Sequence, residues 1–203
     1  MKIKNLSVTL GFICAFCLIG SAFAEFTIGA EQNGNITNYY AVQDPVKYAG
    51  DIIQQSDSEK KKIYEYAKSN PDKVIPITYM ALADYIYKTN KSDALFWFYV
   101  GSMRAYQDLS MCTDQSVWAQ ISIYPMLAPN TAEYSGKVNE QTRKNLTLKA
   151  LKWDEEHPNR VNPQWACYNG TGGFSTGNVT TKPMSEYTEH QKQFRENVLN
   201  SLK

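Results

Sequence analysis

The chain has 203 residues, 43% of them hydrophobic and 20% charged, with 21 Lys and Arg against 20 Asp and Glu. That balance leaves no basic excess or stripe of the kind a nucleic-acid binder needs, so nucleic acid is set aside as a partner. Length and apolar content suffice for one domain that buries most of its apolar surface without metals or a dense set of crosslinks.

The first residues read as a secretory signal peptide spanning 1–24. Lys2 and Lys4 make a short basic start, Leu6 to Gly20 is almost wholly apolar, and Ala22-Phe23-Ala24 fits the small-x-small pattern of a cleavage site before Glu25. The expected location is therefore periplasmic or secreted. The apolar run falls short of the roughly 20 residues of a membrane span, so no stable membrane anchor is expected. Phe16 stands where a small residue should precede a lipidated cysteine, which argues against lipid on Cys17. Cleavage would remove Lys2 and Lys4, leaving 19 basic against 20 acidic side chains, a net of −1.

Cys14 and Cys17 would leave with the signal peptide, and Cys112 and Cys167 remain. In an oxidising compartment they are expected to form a disulfide, which closes a loop long enough to stabilise the fold by roughly 3–4 kcal/mol. A metal pair would need further ligands. The histidines are only His157 and His190, and no C-x-x-C occurs, so no metal and no cofactor is expected.

Residues 25–43 are polar and rich in Gly and Asn, and are expected to be an irregular lead-in to a single helical domain over 44–203. Asp44-Pro45 predicts a helix start, with Asp as cap and Pro at the first helical position; Val46, Ala49, Ile52 and Ile53 follow on one side to about Gln55. Ser56 and Glu59 have capping-box spacing, and the helix they open should stop before Asn70-Pro71. Between Pro76 and Tyr106 the pattern predicts two helices. Tyr79, Leu82, Ala83, Ile86 and Tyr87 recur at helical spacing in the first. Lys88-Thr89-Asn90-Lys91 is the turn. Ser92 is expected to cap the second helix, and Ala94, Leu95, Phe98, Gly101, Ser102 and Ala105 form its inner face. This second helix is apolar around much of its girth and should be central.

Beyond it, Asp114 to Leu127 predicts a helix broken by Pro125, Pro129-Asn130 a loop, and Val138 to Glu156 a longer helix with Leu146, Ala150, Leu151 and Trp153 inward. Asn159 to Thr181 reads as a Gly/Asn/Thr-rich loop that a Cys112–Cys167 bridge would pin to the end of the central helix. Ser185 to Leu202 closes the chain as a helix with Phe194, Val198 and Leu199 inward. No strand alternation stands out, so the fold class is mainly α: a compact helical domain with a central helical hairpin and a disulfide-tethered loop.

Ala81, Leu82, Tyr87, Lys88, Asn90, Ala94, Trp97 and Phe98 stand roughly as in the helix pairs of tetratricopeptide and Sel1-like repeats, and the segment DYIYKTNKSDALFWFYVGSMRAY resembles a stretch of exported Gram-negative proteins. The resemblance covers residues 76–106, with Asn90 in place of the usual turn glycine and no second copy. It implies protein binding without a fixed active site.

Catalytic signals are sparse. His157 follows Asp154-Glu155-Glu156, but adjacent residues at a helix end do not face one another, and Pro158 marks a stop. The stretch Asn169-Gly170-Thr171-Gly172-Gly173-Phe174 suggests a phosphate cradle only superficially, since the P-loop lysine is missing. Arg104 lies in an apolar helix and needs a partner: either an ion pair with Asp84 or Asp108, or an acidic surface of another protein. The expected contact surface for a partner uses Trp97, Tyr99, Arg104, Trp165 and Phe174. Together these features favour an exported protein-binding protein, in the specific version an immunity-type protein that neutralises a toxin by occlusion. The alternatives are an envelope enzyme or accessory with a site near His157 and the 159–181 loop, or an envelope assembly scaffold.

Overall fold

Local signals set the first helices where the sequence puts them. Asp44 accepts a hydrogen bond from the Lys47 backbone N–H at 2.8 Å and Pro45 opens α1 (Pro45–Gln54). Ser56 Oγ accepts from Glu59 N at 3.2 Å and opens α2 (Asp57–Ser69), which ends at Asn70 before proline. The computed structural model describes residues 30–33, 36–39, 44–176 and 179–203, with the side chains of 30–39 and 174–178 excepted. The signal peptide expected over 1–24 lies outside the described residues.

The predicted helix pair is α3 (Ile77–Tyr87) and α4 (Lys91–Leu109), packed against each other along their length. The cap of α4 is Asn90, whose side chain accepts from Ser92 N and Asp93 N; Ser92 is inside the helix rather than at its cap. Asn90 wins because its side-chain amide oxygen reaches the two amides that the first turn leaves unpaired. Small residues allow the close approach. A Cβ added to Gly101 would lie 2.9 Å from both Met80 Cγ and the Pro76 carbonyl oxygen. Ala94 and Ala105 are fully buried, and α4 contacts α3, α6, α7 and α9, so it is the central helix.

After α4 the predicted helix over 114–127 is instead a 3-10 helix, Gln115–Ser122, followed by the short α5 (Tyr124–Leu127). The expected loop at Pro129-Asn130 opens a helix, α6 (Pro129–Lys137). Its own cap position, Ala128, has no side-chain acceptor, so the signal was invisible locally. Asp84 of α3 supplies the cap from across the fold, accepting from Asn130 N (3.1 Å), Asn130 Nδ2 (2.7 Å), Thr131 N (2.9 Å) and Thr131 Oγ1 (2.9 Å). The long helix is α7 (Glu140–Glu156), capped by Asn139 and ended at His157.

The 159–181 segment is more ordered than a loop. It holds strand β3 (Arg160–Val161), a 3-10 helix over Pro163–Cys167 and the short α8 (Thr171–Thr176). Two further strands, β1 (Ala30–Asn33) and β2 (Ile36–Tyr39), lie where an irregular lead-in was expected. β2 pairs antiparallel with β1 and parallel with β3, with Ile36 opposite Arg160. The terminal helix α9 (Tyr187–Ser201) buries Tyr187 and Gln191, while Leu199, expected inward, is exposed. The fold is mainly helical, and the Cys112–Cys167 disulfide is present with its Cα atoms 5.4 Å apart.

Candidate functional site

Two assemblies of functional-looking side chains emerge, one inside the protein and one on its surface. The inner one is centred on Asp154, which is fully buried on α7. Its Oδ1 accepts from Arg104 Nε at 3.0 Å and from an Arg160 terminal nitrogen; its Oδ2 accepts from Gln107 Nε2 at 3.1 Å and Arg195 at 3.0 Å. Arg104, 1% exposed, also donates to the Pro71 carbonyl (3.2 Å) and the His157 carbonyl (2.7 Å), and its guanidinium lies 4.4 Å from the Trp153 ring centre. Burial pushes the Asp154 carboxyl up, but the charges of Arg160 and Arg104 and the Gln107 hydrogen bond overcome it and hold the group below the usual carboxylate range.

Asp108 forms a second buried centre one helical position after Gln107. It accepts from Trp165 Nε1 at 2.7 Å and from the Tyr187 hydroxyl. Burial pushes its carboxyl up to about 6, against the Arg160 charge and those two hydrogen bonds. The two carboxylates and three arginines thus fasten α4, α7, β3, α9 and the disulfide-linked segment to one another. Arg160 Nε and Nη1 are buried without a hydrogen-bond partner among the described residues, in keeping with the excess of guanidinium over carboxylate.

The Asp108 proton has a measurable consequence. A carboxyl near 3.8 when unfolded and near 6 when folded is protonated only in the native state between those values. Its contribution is therefore full below pH 3.8 and is lost as pH rises through 6. Lowering the pH from about 7 to about 4.5 should stabilise the wild type relative to Asp108→Asn by about 2 kcal/mol in urea titrations. Parallel stability curves for the two proteins would exclude a raised Asp108.

This interior accounts for most of the sequence-predicted contact residues. Trp97 is 7% exposed and stacks on Tyr79 with ring centres 5.0 Å apart, edge-on to Trp153 at 5.2 Å. Trp165 is 1% exposed and serves Asp108. Trp97, Arg104 and Trp165 therefore present no surface to a partner, which corrects the expectation for these three. Arg104 pairs with Asp154, not with Asp84 or Asp108. Tyr99 is half-buried, its hydroxyl 2.8 Å from Ser135 Oγ. The Phe174 side chain lies outside the described residues.

His157 is half-buried, its ring stacked on Trp153 at 4.3 Å and its Nδ1 2.7 Å from the Trp153 carbonyl oxygen. Asp154, three residues earlier, faces the arginines instead. The glycine-rich stretch after Cys167 encloses an anion of the protein's own. Gly172 N donates to Asp114 Oδ2 at 3.0 Å, Ser116 donates to Asp114 Oδ1 through both its amide (2.9 Å) and its hydroxyl (2.7 Å), and a Cβ on Gly170 would lie 2.5 Å from Asp114 Oδ2. Those hydrogen bonds, the Gly172 one foremost, draw the Asp114 carboxyl down to about 2. The position a phosphate would take is filled by a side chain.

The outer assembly is a groove of about 750 Å³ where α1, α2, α3 and the α5–α6 junction meet. Ile53, Tyr85 and Met126 give it apolar walls, with Met126 73% exposed. Lys60, Lys88 and Lys91 stand around it. Lys88 pairs with Asp57 at 2.9 Å, whereas Lys60 and Lys91 form no ion pair among the described residues; the Lys91 ammonium lies 5.1 Å from the Tyr87 ring centre and 5.8 Å from that of Tyr134. Sequence reading missed this site because its residues come from six separate elements, α1 to α6. Its visible traces were Lys60 and the two lysines of the 88–91 turn.

Among the described residues no group of three or more His, Cys, Asp or Glu side chains is arranged to hold a metal ion, and no helix is long and apolar enough to cross a membrane. The fold and these sites define a mainly helical domain with one internal disulfide, a buried ionic centre and a basic, apolar-walled surface groove. Compared with known proteins, the chain matches no family model, no curated protein and no solved structure.

Proposed function

We propose that this chain is an exported, periplasmic protein-binding protein that works by occlusion, in the manner of an immunity protein that blocks a toxin entering that compartment. The observation that carries this reading is the groove of Ile53, Tyr85 and Met126 ringed by lysines. It is an exposed concave surface on a body otherwise tied down from within. Tyrosine and methionine are enriched at protein interfaces, and methionine adapts its shape to a partner. Further support comes from the basic start, apolar run and Ala22-Phe23-Ala24 of residues 1–24, from the internal disulfide, which suits an oxidising compartment, and from the tetratricopeptide/Sel1-like pattern over 76–106.

The test is genetic and biochemical together. Deleting the gene should sensitise cells to a toxin encoded beside it, and the purified protein should form a stable complex with that toxin. Unchanged sensitivity of the deletion strain to every neighbouring toxin would sink the immunity reading. Affinity capture that returns resident envelope proteins instead would favour an assembly scaffold.

A further inference from the structure

We propose that the groove between α1, α2, α3 and the α5–α6 junction receives an acidic segment of the partner protein, with an apolar side chain seated against Met126, Ile53 and Tyr85. The proposal rests on the reading of this chain as a protein binder and adds the chemistry of what it binds. Its basis is charge complementarity at one place in a molecule that is nearly neutral overall.

Three lysines border the groove, and the carboxylate that lines it cannot answer them. Both oxygens of Asp84 are already taken by the first turn of α6, through four hydrogen bonds between 2.7 and 3.1 Å. The positive end of that helix further offsets the Asp84 charge. Asp57 neutralises Lys88 from outside the groove, at 2.9 Å. Lys60 and Lys91 are left without a carboxylate partner among the described residues, the Lys91 ammonium lying 5.1 and 5.8 Å from the Tyr87 and Tyr134 ring centres. Two ammonium groups with no carboxylate partner among the described residues, beside an apolar wall, select a ligand with carboxylates next to an aliphatic or aromatic side chain. The volume of about 750 Å³ is ample for one or two such side chains. A phosphate backbone would be drawn by a longer basic stripe, and the lysines here flank a concavity rather than form a flat face.

The probe is a random dodecapeptide display library panned on the mature, disulfide-bonded protein at low salt. Enriched peptides should carry Asp or Glu beside an apolar residue, and as synthetic peptides they should bind less tightly as salt rises. Their affinity should fall about tenfold or more for Lys60→Glu/Lys91→Glu and for Met126→Asp. The control, Lys144→Glu/Lys203→Glu on the α7–α9 face, changes net charge equally and should bind like the wild type. Lys91, Met126 and Lys203 are exposed and Lys60 and Lys144 half-buried, so melting temperatures should stay close to that of the wild type. Failure to enrich any peptide overturns the proposal, as do enriched peptides without acidic residues or affinities within about twofold across the variants. So does sedimentation with phosphatidylglycerol vesicles that depends on Lys60 and Lys91 while no peptide does, since the groove would then read a lipid surface.

The two readings fail separately. A Lys60→Glu/Lys91→Glu chain that protects cells from the toxin as well as the wild type leaves the immunity reading standing and removes the groove from it. Lysine-dependent peptide binding without any toxin protection does the reverse.

Discussion

Asp154→Ala should destabilise the protein by about 3–5 kcal/mol, the largest loss expected from any single substitution. The cause is what remains. Arg104, Arg160 and Gln107 are buried and all donate to this one carboxylate, so its removal leaves two buried guanidiniums without their main counter-charge. Asp154→Asn should cost nearly as much, because every partner of the side chain is a donor and half of an amide is also a donor. Arg195→Gln is the contrast: its side chain is partly exposed, so solvent screens its bond to Asp154 and the loss should stay within about 1 kcal/mol. Urea midpoints of the three variants provide the measurement. Equal, small effects at Asp154 and Arg195 would mean that the cluster is looser than its geometry. Acid adds an independent check. A carboxyl held below its ordinary value contributes stability that is present above pH 3.8 and is lost as pH falls through its lower folded value. The wild type should therefore lose stability in that acid range more steeply than Asp154→Asn.

Opening the Cys112–Cys167 bridge should cost roughly 4 kcal/mol, from the entropy returned to an unfolded chain whose crosslinked residues stand 55 apart. The bridge holds the end of α4 to the 3-10 helix that carries Trp165, and Trp165 in turn donates to Asp108. On the far side of the segment, Lys182 N donates to the Met111 carbonyl at 2.7 Å, so the chain re-enters beside Cys112 after its excursion. Cys112→Ala/Cys167→Ala should lower the denaturation midpoint accordingly and expose Trp165 to solvent, visible as a change in tryptophan fluorescence. Labelling the denatured, unreduced wild type, read by peptide mapping, should find Cys112 and Cys167 unreactive. Reactive thiols at both positions would remove the bridge from the native protein.

Much of the helical framework was legible because its signals are local. Asp44-Pro45, Ser56 with Glu59, and Asn70-Pro71 act through neighbouring backbone, and the structure uses each of them. The small residues of α4 correctly indicated a packed inner face. The boundaries that misled, Ser92 for Asn90 and the missed α6, involve caps chosen by competition between neighbours or supplied from another helix. The Gly, Asn and Thr content of 159–181 predicts a loop; Asp114, 57 and 58 residues away in sequence from its partners Thr171 and Gly172, organises it. One signal for the buried centre was available. Asp154 continues the inward stripe of Leu146, Ala150 and Leu151 at helical spacing, which separates it from Glu155 and Glu156 despite their shared charge.

The amino-acid sequence by itself determined the helical class, most helix starts and stops and the central position of α4, since each depends on periodicity or on capping chemistry within a turn, and it pointed to the pairing of Cys112 with Cys167. Only the tertiary structure decided which charges are buried and which aromatic rings are available. Arg104, Trp97 and Trp165 looked like contact residues and became interior ones, while Met126, Lys60 and Lys91, none of them a predicted contact residue, came together at the surface. The physical reason is that burial is a property of neighbours: a charge enters the interior only where several distant groups converge to satisfy it, and a groove exists only where separate helices leave one open.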